Sequence, residues 1–356
     1  MLLSIIVPVY NMAADDKLKH CMDSLINQNM SDYEIIAVND ASTDESLSIL
    51  EEYKANYPDK VKVITYSDNK KQGGAKNAGL DAASGKWVGF IDSDDWISPD
   101  MYKKLIDKAD ATGADLVGCD YTIVDKYTFE HGQDVVNNTP DQTGILDDEK
   151  HAKHILRSGS MVVKIYLRSV IEDHHLRFPE HMLYEDNCAG PLWSMYFKRF
   201  ERVDEALYYY LTLPGSTTHH VTWERCLDRV KAGHELLKEC KDRRTNVYIF
   251  KDMHDDISFY DKYRNEIEYR YAELCYSGTL FSYMYSGKNR KLKNTDYLKK
   301  DIIEHFPDFR KNPYYESMMK EEDKKFIDIQ MKSNFRFFLH YILLFAYRNL
   351  RKRKEV

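Results

Sequence analysis

The sequence predicts an α/β protein: a mostly parallel β-sheet flanked by helices, continued by a C-terminal extension that is mainly helical. Three observations carry this reading. The first 120 residues alternate short β-rich runs with amphipathic helical stretches, the pattern that builds a helix-covered parallel sheet. Polar and acidic residues follow directly on several apolar runs, as they do where strands end at a ligand-binding sheet edge. From 223 to 330 the periodicity is helical and the chain is rich in Lys, Glu and Tyr. With 356 residues, 43% hydrophobic and 31% charged, the chain is long enough for two domains and too apolar to be disordered.

The expected strands are 2–7, 33–38, 61–66, 87–91 and 115–119, with a later one at 206–211. Between the first two, Leu18, Cys21, Met22, Leu25 and Ile26 recur at helical spacing. Ser42 followed by Glu45 reads as a capping box for the next helix, and Ser98-Pro99 as the N-cap and first residue of a helix over 100–111. Periodicity fades from Tyr121 to Asp148, which suggests an excursion or lid, then returns over 156–171 and in a helix over 185–197. No repeat, low-complexity tract or Gly/Ser linker interrupts the chain. We therefore divide it by pattern alone: 1–220 with an excursion at 121–160, a helical region 221–330, and a basic amphipathic tail 331–356.

The net charge of -7 offers no general basis for nucleic-acid binding. It is unevenly spread, however. From Met331 to Val356 there are seven Lys/Arg against one acid, so the tail carries +6 and the remainder -13. The stretch 335–350 (FRFFLHYILLFAYRNL) is apolar nearly all round but too short to span a bilayer, which needs about 20 apolar residues. Either it packs into a core, or it lies on the inner membrane face with its cations toward anionic lipid, the reading we favour. The six cysteines form no CxxC pair, which suggests free thiols in a reducing compartment. The apolar N-terminus lacks a basic n-region and a small-residue cleavage pattern, so it reads as a buried first strand of a cytoplasmic protein.

The residues after the strands are the chemical candidates. They are Pro8, Tyr10 and Asn11 after the first, Asp40 through Asp44 after the second, and Asp92-Ser93-Asp94-Asp95 after the fourth. Three acids within four residues repel one another unless a cation or hydrogen-bond donors relieve them, and such oxygen donors suit Mg²⁺ or Mn²⁺. Taken in isolation, the cluster is equally a solvated turn before the helix at Pro99.

In their order and spacing, PVYN, NDASTD, the 69–79 segment NKKQGGAKNAG, DSDD-Trp, Glu185-Asp186 and Gly215-Ser216-Thr217-Thr218 resemble the signatures of family 2 glycosyltransferases, over about residues 1–220. The resemblance implies a GT-A-type, Rossmann-like fold, a nucleotide-sugar donor, a divalent cation (Mn²⁺ or Mg²⁺) and transfer with inversion. It places Pro8, Tyr10 and Asn11 around the base, Asp40 on the base itself, Asp92 and Ser93 at the ribose and metal-bound water, and Asp94 on the metal. Asp95 is expected to cap the following helix. Lys71 and Lys76 stand where the family block has glycine and arginine; Lys76 keeps the charge that approaches the diphosphate but loses the guanidinium fork.

Asp186 falls at the general base, with Glu185 beside it. Ser216 and Thr217 fall near the diphosphate, and His219 or His220 offers a further metal ligand. The expected acceptor is a glycan or lipid-linked glycan, the expected product a surface polysaccharide or glycolipid. Two alternatives stay open: a sugar-nucleotide nucleotidyltransferase, against which stands the lack of a Gly/Arg-rich phosphate loop after the first strand, and a membrane-docked binding partner that has lost turnover.

Overall fold

Apolar runs that are hydrophobic at every position become strands buried on both faces. A computed structural model describes residues 1–125, 132–212, 221–245, 257–286 and 289–352, with side chains to 344. Strands β1 (Leu3–Val9), β2 (Tyr33–Asp40), β3 (Val61–Tyr66) and β4 (Trp87–Phe90) run parallel in the order β3-β2-β1-β4. β1 and β2 are buried along their whole length and reach two residues further than the sequence suggested, so that Pro8 and Asp40 lie within strands. Helices α1 (Lys17–Ile26), α2 (Ser46–Asn56) and α3 (Lys71–Ala82) connect them. α1 buries Leu18, Cys21, Met22 and Leu25, the face its spacing predicted.

The second half of the sheet comprises β5 (Trp96–Ile97), α4 (Met101–Thr112), β6 (Leu116–Val124), β7 (Gln133–Val135), β8 (Gly144–Ile145), α5 (Asp148–Leu156), β9 (Lys164–Leu167), α6 (Arg168–Asp173), α7 (Asp186–Ser194) and β10 (Arg199–Leu211). Its order continues β4-β9-β6-β10-β5, with β9 antiparallel to both neighbours and β6 parallel to β10. β9 was not anticipated. Its run of alternating apolar residues sits inside a stretch that also supports helical spacing, and only pairing with β4 and β6 decides between them.

Two capping expectations are corrected. Ser42 does not cap α2; its Oγ accepts the Asn11 backbone N–H at 3.0 Å, and Asp44 Oδ1 accepts the Ser46 N–H at 3.0 Å instead. α4 begins at Met101, after a turn in which the Ser98 carbonyl accepts the Met101 N–H at 3.1 Å.

Helix α3 lies almost flush on the sheet because it is built of Gly and Ala. A Cβ on Gly79 would come within 2.3 Å of Ile6 Cγ2, and one on Gly73 within 2.0 Å of the Pro179 carbonyl oxygen. Helix α7 is anchored by Trp193, whose ring lies 4.7 Å from that of Phe178, 5.7 Å from Tyr166 and 6.1 Å from Phe90. Pairs of this kind add about 0.5–1.5 kcal/mol each beyond area burial, which fixes α7 against β4 and β9.

The rest is helical: α8 (Trp223–Asp242), α9 (Phe259–Lys262), α10 (Arg264–Tyr271), a π-helical segment Ala272–Gly278, α11 (Thr279–Ser286), α12 (Leu292–His305), α13 (Pro313–Met318), α14 (Glu321–Lys332) and α15 (Asn334–Lys352). Several tyrosines bury their rings while their hydroxyls find partners, as Tyr276 does on Gln330 Oε1 at 2.5 Å. The Leu183 N–H donates to Asp228 of α8 at 3.4 Å, and Arg243 reaches the His174 carbonyl at 2.7 Å, so these helices abut the segment leading into α7. In α15, Phe337 and Tyr341 are buried against the neighbouring helices, while Phe335, Leu339, Ile342 and Leu343 are exposed. Among the described residues no helix is long and apolar enough to cross a membrane. All six cysteines are buried, free thiols.

Candidate active site

The parallel strands β1, β2 and β4 end at one sheet edge, and the residues that follow them meet there. Pro8 is buried opposite Val38, and the ring of Tyr10 just beyond is 45% exposed, available to a ligand. Asn11 holds the loops together: its Oδ1 accepts the Thr43 N–H at 2.8 Å. Asp40 is buried, and its Oδ1 accepts the Lys70 N–H at 2.7 Å, tying the end of β2 to the start of α3. Burial raises its carboxyl, against the pull of the Lys70 and Lys71 amides.

The backbone here is unusually constrained. Asn11, Ala41, Lys71, His181 and Tyr184 all have positive φ, between 54° and 65°; Lys71 opens α3 and the others lie on loops. Such conformations cost non-glycine residues of order 1–3 kcal/mol and persist where the surroundings impose them, often at functional sites. Lys71, at φ 64°, occupies the position of the family block's first glycine.

The Asp92–Asp95 turn carries the densest charge. Ser93 and Asp95 are buried, Asp92 and Asp94 partly so. Burial pushes the Asp92 carboxyl up to about 6, opposed by Lys76 and reinforced by Asp94 and Glu185. Burial also raises Asp94, which Lys17 partly offsets. Gln72 Nε2 approaches Asp92 Oδ1 at 3.4 Å. Asp95 does not cap a helix, contrary to the sequence reading. Its Oδ2 accepts the Tyr208 hydroxyl at 2.5 Å and its Oδ1 the Leu211 N–H at 2.8 Å, so the acidic turn is pinned to β10. The Asp92 N–H in turn donates to the Tyr208 oxygen at 3.3 Å. Tyr208 was singled out only as part of a strand; nothing local in the sequence reports a partner 113 residues away.

Lys76 and Glu185 are brought together from positions 109 residues apart. Nζ lies 2.7 Å from Glu185 Oε1, with side chains only 4% and 3% exposed. Lys76 thus sits beneath the carboxylates, with its charge engaged by Glu185, Asp92 and Asp186. Asp186 is the first residue of α7, open to solvent on one side, where the helix N-terminus favours a negative charge. The protein around it still pushes its carboxyl up to about 6; Glu185 and Asp92 add to that, and Lys76 opposes it. Asp92, Asp94, Glu185 and Asp186 therefore share one electrostatic neighbourhood. Ser216, Thr217, His219 and His220 lie outside the described residues.

The crowded carboxylates test whether a divalent cation fits. Asp92 and Asp94 present hard oxygens, burial raises both, Asp94 adds to the rise at Asp92, and Lys76 is already committed to Glu185. That donor set suits Mg²⁺ or Mn²⁺ held by few carboxylates plus substrate oxygens.

A profile of glycosyl transferase family 2 matches residues 4–172, from β1 through α6. Through this segment the chain belongs to glycosyl transferase family 2. The glycosyltransferase EpsJ of Bacillus subtilis is 34% identical over 222 residues, 61% of this chain and 63% of EpsJ. The poly(ribitol-phosphate) β-glucosyltransferase of Bacillus spizizenii is 30% identical over 184 residues, 51% of this chain and 27% of that one. The chain thus spans less than two thirds of either relative. Among solved structures, S. aureus TarS 1–349 covers 98% of this chain and 92% of its own at TM-score 0.64 and 20% identity. Its complex with UDP-GlcNAc gives a TM-score of 0.56 at 21% identity over 89% of this chain and 92% of its own. The fold is therefore of the GT-A type, with the strand-end carboxylates inside the matched segment and Glu185-Asp186 just beyond it.

Proposed function

We propose that the protein is an inverting, metal-dependent glycosyltransferase that moves a sugar from a UDP-sugar to a hydroxyl of a glycan or lipid-linked glycan during surface-polymer assembly. The observation that carries this reading is the convergence of Asp92, Asp94 and Asp186 at one sheet edge, with Asp186 at a helix start. The UDP-GlcNAc bound by TarS supports the donor class, and the polymer named for the Bacillus spizizenii enzyme supports the acceptor class.

In this reading Pro8, Tyr10 and Asn11 line the base and Asp40 accepts from it, while Asp92 and Ser93 meet the ribose. A divalent cation on Asp94, with Asp92 beside it, would neutralise charge developing on the diphosphate. Asp186 removes the proton from the acceptor hydroxyl as that oxygen bonds to the anomeric carbon. The bond from that carbon to the diphosphate breaks on the opposite side, and UDP leaves with the electron pair. One working carboxylate suffices, since the leaving group departs without protonation. Lys76 keeps Asp186 and Asp92 ionised from below.

The test is UDP release across a panel of UDP-sugars with Mn²⁺ or Mg²⁺. Asp186→Asn should abolish transfer and leave UDP affinity near wild type. Absence of both turnover and metal-dependent UDP binding would refute the reading. Pyrophosphate release from a nucleoside triphosphate would favour a nucleotidyltransferase, and UDP binding without turnover a binding partner. The exposed stripe Phe335, Leu339, Ile342 and Leu343, followed by five Lys/Arg between Arg348 and Lys354, supports docking on the inner membrane face. Leu343→Asp should weaken sedimentation with anionic vesicles; equal sedimentation would remove that part of the proposal.

A further inference from the structure

The C-terminal helices bring together a second group of metal-compatible side chains, unrelated to the strand-end carboxylates. His234 projects from α8, while Asp301 and His305 lie one turn apart on α12. One donor atom from each lies within 4.8 Å of the other two. His234 Nε2 is 2.8 Å from Asp301 Oδ1; His305 Nδ1 is 3.9 Å from the same oxygen and 2.9 Å from the Asp301 backbone carbonyl. The imidazole rings stack with centroids 4.8 Å apart.

Three features make this more than a chance contact. Asp301 is buried, yet no lysine or arginine pairs with it among the described residues; its partners are the two imidazoles and the Tyr271 hydroxyl. Tyr271 donates to Oδ2, which leaves Oδ1 turned toward the histidines. Hydrogen bonding of the outer oxygen or nitrogen is how proteins orient metal ligands. Finally, the His234 and His305 side chains are 36% and 27% exposed, so an ion can enter and solvent can complete its shell.

We propose that His234, Asp301 and His305 form a transition-metal site that clips α8 to α12 and takes Zn²⁺ or a similar borderline cation. Two imidazole nitrogens and one carboxylate oxygen suit Zn²⁺, Co²⁺ or Ni²⁺, and not the all-oxygen preference of Mg²⁺. Tetrahedral Zn²⁺ with bonds of about 2.0–2.2 Å sets its donors roughly 3.3 Å apart. The separations of 2.8 and 3.9 Å bracket that value; His305 joins the site either by turning Nδ1 away from the Asp301 backbone carbonyl or by binding through Nε2 while Nδ1–H keeps that carbonyl. On binding, the ion replaces the proton that His234 and Asp301 share and the liganding nitrogens carry none.

The experiment is Zn²⁺ titration of the metal-stripped full chain by calorimetry, with Co²⁺ absorption as a spectroscopic reporter. The expected result is one equivalent bound, lost by roughly 100-fold or more in His234→Ala and in His305→Ala. It should persist in Asp94→Asn and in the His219→Ala/His220→Ala double variant. The partly exposed imidazoles make these substitutions mild, and far-UV circular dichroism confirms the fold. His305→Asn, which keeps a polar side chain at the same turn, serves if the alanine variant misfolds, and should lose the ion equally. No Zn²⁺ binding by the wild type, or equal binding by the His234 and His305 variants, would overturn the assignment.

Discussion

The buried Lys76–Glu185 pair makes an asymmetric prediction. Replacing Lys76 with Met keeps the stem's volume but leaves Glu185, Asp92 and Asp186 facing one another without their shared cation. Breaking a buried pair from one side costs about 3–5 kcal/mol. Replacing Glu185 with Leu still leaves Lys76 with Asp92 and Asp186, so the cost should be nearer that of one charged hydrogen bond, about 1.5–3 kcal/mol. At roughly 2.1 cal/mol/K per residue over 356 residues unfolding together, Lys76→Met should lower Tm by about 4–7 °C and Glu185→Leu by about half that. In the double variant the penalty should fall back toward that of Glu185→Leu alone. Thermal and urea unfolding of the four proteins measure the cycle. A second readout is the pH profile of transfer. In the proposed base role Asp186 works ionised, and with its carboxyl raised to about 6 the rate should fall about tenfold per unit below pH 6. Because Lys76 depresses both Asp186 and Asp92, its loss should move that limb upward by about one unit. A Glu185→Leu loss equal to or larger than that of Lys76→Met, with an unmoved acid limb, would refute the shared-cation argument.

Three further outcomes follow from local geometry. Lys71→Gly relieves a left-handed backbone at φ 64° and should stabilise the protein by about 0.5–1 kcal/mol in urea unfolding; a loss of stability would mean that the lysine side chain contributes more than its strain costs. Gly79→Ala forces a Cβ to within 2.3 Å of Ile6 and should cost about 1–3 kcal/mol, read as a lower urea midpoint, with wild-type stability arguing against a rigid α3–β1 contact. Glu34 is buried, which raises its carboxyl, but Lys62, Ser4 and Ser84 more than compensate and hold it at about 2. A depressed folded-state value means its contribution is present above about pH 4.5 and is lost as pH falls toward 2, so Glu34→Gln should flatten the acid-unfolding curve in that window; parallel curves for the two proteins would contradict it.

What was legible in the sequence was local. Asp92–Asp95 and Asp40 stand out because an apolar strand run ends in acids, and α1 because Leu18, Cys21, Met22 and Leu25 repeat at 3.6-residue spacing. What was not legible depends on pairing at a distance. β9 inserts antiparallel between β4 and β6, and its direction is set by two strands remote in sequence. Asp95 looks like a helix cap because Pro99 follows closely, but Tyr208 and Leu211 of β10 compete for its oxygens and win. Ser42 matches a capping box three residues before Glu45, yet Asn11 takes its hydroxyl because β1 and β2 end side by side. His234 is 67 residues from Asp301 on another helix, a separation over which no spacing rule operates.

Lys76 shows how a substitution within a motif can shift a residue's work. The family block carries an arginine there, whose fork can hold two acceptors at once. A lysine offers one point charge, and Glu185 at 2.7 Å is its nearest acceptor. Glu185, Asp92 and Asp186 together present three carboxylates to this ammonium, a formal -2 if all ionise. Burial raises the carboxyls of Asp92, Asp94 and Asp186, and neighbouring carboxylates add to the rise at Asp92 and Asp186. In the proposed reaction a diphosphate donor brings further negative charge to this edge, which these carboxylates would repel. Under the proposed function a bound cation would relieve this excess, and burial together with the neighbouring carboxylates raises Asp186 toward the pH at which a general base is most effective. In that reading donor binding and proton removal would both respond to one charge balance, so Lys76→Met should disturb the two together.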